Sequence, residues 1–128
     1  MRLLLDTHVL LWWLLDDPRL TAAARRAISP ADCRVLVSSA SACEIATKHR
    51  LGKLPEIGDI VEKLPRHLRQ ERFEVLPIGF EHALLAGQLP GPHRDPFDRM
   101  LIAQSLKEEL HVVTGDAVFA EYGVNVIW

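Results

Sequence analysis

Four acidic residues stand where a catalytic centre would want them. Asp6 directly follows the apolar run Leu3-Leu4-Leu5, and Asp116 comes two residues after Val112-Val113-Thr114. Glu44 falls in the first turn expected of a helix after Arg34 to Val37, and Asp98 in the first turn of one opening at Pro96. Each has an ordinary use as well. Asp is a preferred N-cap, Ser41-Ala42-Cys43-Glu44 matches a capping box, and Asp98 complements a helix dipole. Gathered on one rim, however, two carboxylates ~5 Å apart repel by about 3 kcal/mol at an effective dielectric of about 20. A divalent cation relieves that repulsion. Oxygen donors without a His or Cys cluster favour Mg²⁺ or Mn²⁺ over Zn²⁺, and the chemistry that follows is phosphodiester cleavage by a metal-activated water.

The elements that must position these acids alternate between short β-rich runs and longer helical stretches. Strands are expected at Arg2 to Leu5, Arg34 to Val37, Phe73 to Leu76, Val112 to Thr114 and Val124 to Ile127. Helices are expected over Thr7 to Leu14, Leu20 to Ala27, Ser41 to Leu51, Ile57 to Gln70, Glu81 to Ala86 and Pro96 to Glu109. Pro65 threatens to kink or split the fourth of these, and Gly52 sits at the stop position of the third. Largely apolar, non-alternating strands interleaved with helices indicate an α/β fold of three layers, with a central parallel sheet of about five strands covered on both faces. Ligands of such sheets bind beyond the carboxyl ends of the strands, the rim that carries the four acids.

Length and composition narrow the function further. At 128 residues one domain, 1–128, is expected. Fifteen Lys and Arg against seventeen Asp and Glu give a net charge of −2, which excludes nucleic-acid binding by bulk positive charge. The apolar run Val9 to Leu15 is too short for a membrane span, and Asp6 interrupts any signal-peptide plan, so a cytoplasmic protein without a membrane partner is expected. Cys33 and Cys43 form no CxxC pair and read as small buried residues of a reducing compartment.

These residues resemble a PIN-domain protein, specifically the VapC-type toxin of a toxin–antitoxin pair. The resemblance rests on Leu4-Leu5-Asp6-Thr7-His8, Cys43-Glu44-Ile45-Ala46-Thr47-Lys48, the run from His93 to Gln104 (HRDPFDRMLIAQ) and Thr114-Gly115-Asp116, in that order, with Val124 to Trp128 resembling the closing strand. It implies a three-layer PIN-like nuclease that cuts RNA with Mg²⁺ or Mn²⁺, partnered by an antitoxin and by a second copy of itself. It also implies that Asp6, Glu44, Asp98 and Asp116 are the metal-binding and catalytic quartet, with Thr7 and Asp95 as secondary pocket residues. Cys43 departs from the bulky aromatic often found before the glutamate.

Among the cations, Lys48 and Arg99 are the candidates for RNA phosphates, with Arg50, Lys53 and Arg94 nearby; the competing reading is a solvated helix face. His8 and His93 read more readily as structural hydrogen-bonders than as catalysts. Trp12 and Trp13, with Leu10, Leu11, Leu14 and Leu15, make the first helix apolar enough to suggest a partner surface. A receiver-type domain is excluded because Leu76 is followed by Pro77-Ile78-Gly79 rather than a phosphoacceptor Asp. Nucleotide-binding glycine motifs are absent. The alternative that stands is a catalytically silent PIN-like interaction protein.

Overall fold

Successive side chains of a strand point to opposite faces of its sheet, and this chain uses both faces for core. In a computed structural model describing residues 1–128, β1 (Arg2–Leu5) sends Leu3 and Leu5 to one side and Leu4 to the other. β2 (Arg34–Ser38) divides Val35 and Val37 from Leu36, and β4 (His111–Val113) divides Val113 from Val112 in the same way. The larger core packs that first face against α1 (Thr7–Leu14), α2 (Ala22–Ile28) and α4 (Ile60–Glu71). The smaller packs the second face against α6 (Pro96–Glu108) and α7 (Val118–Glu121). The fold is the expected three-layer α/β/α arrangement.

The sheet is wholly parallel, in the order β3-β2-β1-β4-β5, with β3 at Glu74–Leu76 and β5 at Val126–Ile127. The chain therefore builds outward from β1 in one direction, then crosses back through α5 (Phe80–Gln88) and α6 to place β4 on the other side. Between β1 and β4 the order reverses, and the loops leaving those two strands part to form a crevice. Register places Leu5 beside Val113, and the Asp6 amide donates to the Val113 carbonyl at 3.1 Å. Asp6 and the Thr114-Gly115-Asp116 turn are thereby brought to one spot.

Local expectations differ from the structure in instructive places. α3 (Ser39–Arg50) starts two residues earlier than expected, because Ser38 caps it by accepting from the Ala40 amide at 2.9 Å. The capping box at Ser41 is consequently not formed, and Glu44 lies in the second turn. Pro65 sits inside α4 without splitting it. The cysteines are not core residues: Cys43 is exposed and Cys33 half-buried. Nor does α1 present a bare apolar face. Trp13 packs against Phe73, and Trp12 is half-buried against Trp128. The exposed apolar surface lies elsewhere, on β3 and the start of α5, where Val75, Ile78, Phe80 and Leu84 face outward. No helix is long and apolar enough to cross a membrane.

Candidate active site

Asp6 both caps a helix and faces the crevice. One carboxylate oxygen accepts from the Thr7 amide at 2.7 Å, in the capping geometry of α1, while the other accepts from the Thr114 hydroxyl at 2.7 Å. Only 7% of the residue is exposed. Burial raises its pKa to about 6, with the nearby Asp98 charge adding and the Thr114 bond opposing. Thr114 is wholly buried, and its oxygen also accepts from the Asp116 amide at 3.0 Å. One hydroxyl thus ties the β1 end to the β4 turn. Asp116 itself is exposed, one oxygen accepting from the Val118 amide at 3.0 Å.

Across the crevice, α3 and α6 supply the other acids. Glu44 is 2% exposed; one oxygen is paired with the Lys48 ammonium a turn later, and the other is buried with no hydrogen-bond partner. Lys48 is held charged by that carboxylate: burial alone would lower its pKa, and the Glu44 contact, with Asp95 and Asp98, raises it. At the head of α6 the cap is Asp95, which accepts from the Phe97 and Asp98 amides at 2.9 and 3.2 Å. Asp98 is therefore released from capping. Its carboxylate accepts from His93 Nε2 at 2.9 Å, and burial, with the Asp95, Glu44 and Asp116 charges, raises its pKa.

Asp6, Glu44, Asp95, Asp98 and Asp116 line a single open cavity of about 570 Å³, together with Lys48, His8, Arg19, Trp12 and Trp128. A larger hollow of about 670 Å³ lies under the Leu89–His93 loop against Tyr122 and gathers only one acid, Glu121. The carboxylates collect in the smaller one. Thr7, expected to line it, braces the wall from behind: it is buried and shares a 2.9 Å hydrogen bond with the Ser41 hydroxyl. Arg99 has a different task from phosphate binding. Its guanidinium donates to the carbonyls of Ala86, Leu89 and His93, pinning the loop that carries His93. Arg50, Lys53 and Arg94 are exposed and outside the cavity.

The donor set fits a hard divalent cation in kind: oxygens only, two acids with raised pKa values, and one buried Glu44 oxygen without a partner. No three of these side chains converge closely enough to hold an ion by themselves, so water would have to complete the shell of any ion bound here. His93 is the hydrogen-bonder the sequence suggests, whereas the Ser41 bond to Thr7 and the Thr114 bond to Asp6 have no counterpart in that reading. Thr114 lies two residues before a recognised acid, but its bond to Asp6 spans 108 residues.

The PIN domain family model matches residues 3–125. Ribonuclease VapC22 of Mycobacterium tuberculosis (strain ATCC 25618 / H37Rv) is 30% identical over 117 residues, covering 88% of this chain and 85% of that protein. Among solved structures, VapBC2 from Rickettsia felis bound to a DNA fragment from their promoter matches with a TM-score of 0.72 at 16% identity, covering 98% of this chain and 97% of that one. DNA-bound VapBC from Salmonella typhimurium matches at 0.68 and 21% identity, covering 98% and 96%. At those identities the structural likeness speaks for the fold. The family match over nearly the whole chain, with a relative covering most of both sequences, makes this protein a VapC-type member of the PIN-domain family.

Proposed function

We propose that this protein is a metal-dependent endoribonuclease, a single nuclease domain acting as the toxin of a toxin–antitoxin pair in the cytoplasm. The observation that carries the reading is the meeting of five carboxylates in one cavity at the sheet's reversal point, with a buried Glu44 oxygen left unpaired. Kinship to a named ribonuclease supplies the reaction class. Asp6, Glu44, Asp98 and Asp116 would hold Mg²⁺ or Mn²⁺, with Asp95 beside them and Thr7 behind. When bound, the ion supplies an activated water and neutralises charge building on the phosphoryl oxygens.

The chain's own residues prepare the site. Thr114 and the Thr7 amide orient Asp6, and His93 orients Asp98. Lys48 pairs with one Glu44 oxygen and places a cation in the cavity, where a substrate phosphate can compete for it. Partners are RNA and an antitoxin. Self-association is assigned to the exposed apolar face of Val75, Phe80 and Leu84 rather than to Trp12 and Trp13.

The test is cleavage of RNA by purified protein with Mg²⁺ or Mn²⁺, abolished by EDTA. Cleavage that persists under chelation defeats the metal mechanism. Absence of cleavage with either ion leaves the silent interaction protein.

A further inference from the structure

The cavity has a second half that a metal site does not explain. Beside the acids stands a wall of rings: Trp12 and Trp128 lie 6.0 Å apart at 45°, and His8 flanks Trp12 at 6.0 Å. The wall is built to hold its shape. A Cβ on Gly115 would meet the Trp128 ring at 2.7 Å, so the indole rests on backbone that only glycine leaves open. Asp17 grips Arg19 through Nε and Nη2, at 3.1 and 2.8 Å, and sets its guanidinium 5.0 Å over the Trp12 ring. That grip leaves Nη1 free. Trp128 nonetheless remains 39% exposed, on the same cavity as Asp6 and Asp116.

We propose that Trp128, backed by Trp12, is a stacking platform for an RNA base next to the cleaved phosphate, and that Arg19 takes a neighbouring phosphate. This rests on the ribonuclease reading above. An aromatic face flanked by a held guanidinium is the combination that binds single-stranded nucleic acid without reading its sequence. Acids, rings and a cation share one cavity, and these are the groups that successive phosphates and bases of a strand would use. A peptide is the rival occupant, but a surface lined by five carboxylates and a cation–ring pair suits a metal-bridged phosphate with its base better.

The experiment compares Trp128→Leu, which keeps apolar packing on Gly115 but has no π-face, with Trp128→Phe, which keeps both. Cleavage kinetics on RNA should show KM raised roughly 5- to 100-fold in the leucine variant, with kcat moved less. The phenylalanine variant should stay within about threefold of wild type. In parallel, tryptophan emission of the wild type should be quenched by hexa-adenylate on mixing, and not by inorganic tripolyphosphate.

Equal kinetics for leucine and phenylalanine overturn the proposal, as does quenching no greater with hexa-adenylate than with tripolyphosphate. If the leucine variant cleaves normally but loses its complex with the antitoxin, the wall is a protein-binding surface and the stacking role falls. Failure of wild type to cleave RNA with either metal overturns the ribonuclease reading itself. That outcome is distinct from a wild type that cleaves while Trp128→Leu is indifferent.

Discussion

The two walls of the acidic cavity are made differently. On the strand side, Asp6 and Asp116 are held by neutral donors: backbone amides and the buried Thr114 hydroxyl. On the helix side, Glu44 and Asp98 are held by side chains that can carry charge, Lys48 and His93, and one Glu44 oxygen is held by nothing. Neutral donors on rigid strands lock an orientation. Ionisable side chains compete with any cation or phosphate that arrives and can be displaced by it. One wall is a fixed template and the other an adjustable one.

The largest expected effect comes from removing a charge on either wall. Asp6→Asn and Asp98→Asn should each lower RNA cleavage by on the order of 1,000-fold, the scale of several kcal/mol of lost charge stabilisation. Stability without metal should separate them. Asp98→Asn relieves repulsion while its oxygen still accepts from His93, so its metal-free melting temperature should rise. Asp6→Asn must turn an amide toward the Thr7 amide or the Thr114 hydroxyl, and should gain less. Thermal melts with and without Mg²⁺ check this; equal gains would erase the distinction between the walls.

pH probes the fixed wall directly. In the folded protein Asp6 holds its proton up to about 6, whereas the unfolded chain releases it near 3.8. Between those values the folded state binds more protons, so stability contributed by Asp6 is complete below pH 3.8 and is lost as pH rises through 6. The loss is on the order of 3 kcal/mol, and the raised Asp98 carboxyl acts in the same direction. Urea unfolding of metal-free protein from pH 4 to 7 should show the fall. Asp6→Asn should shrink it to the part that Asp98 contributes.

Thr114→Val keeps the shape and removes the hydroxyl, stranding an Asp6 oxygen and the Asp116 amide together. Destabilisation of about 1–3 kcal/mol is expected, with Thr114→Ser restoring most of it. Denaturant midpoints decide the matter. A neutral Thr114→Val would mean that the strand-side wall is not locked by this bond.

The strand-side wall was far more legible in the sequence than the helix side. Asp6 and Asp116 follow apolar strands directly, and parallel-sheet geometry brings strand ends to one rim whatever the exact register. Capping was harder to read, because several residues compete for it. Asp95 and Asp98 both suit the head of α6, and only the structure shows that Asp95 takes the amides. Ser38 likewise displaced Ser41, since β2 runs one residue longer than its apolar pattern and the helix starts without a turn between. Ser41 was then free to meet Thr7, a contact no local signal encodes. The apolar pattern also cannot say which hydrophobic residue stays outside. Trp12 found a partner in Trp128, over a hundred positions away, while Phe80 remains 85% exposed.

The smallest effect, and the one that best separates the walls, concerns His93. Its ring donates to Asp98 from a loop that Arg99 anchors through its carbonyl at 3.0 Å. Outer groups of this sort orient a ligand rather than bind the ion, and losing one commonly costs 10–100-fold in metal affinity. Because Asp98 lies on the adjustable wall and is partly exposed, the cost should fall at the lower end, about tenfold. His93→Leu removes the donor; His93→Gln keeps one of similar reach and should recover most of the affinity. Titration of Mn²⁺ by calorimetry gives the affinity, and cleavage at saturating metal gives the rest. On an adjustable wall, excess metal should restore cleavage to His93→Leu, whereas Thr114→Val should stay destabilised at any metal concentration relative to wild type under the same conditions. Loss of cleavage in His93→Leu that saturating metal cannot repair would show that His93 acts on the reacting groups themselves, and the helix side would then be as rigidly committed as the strand side.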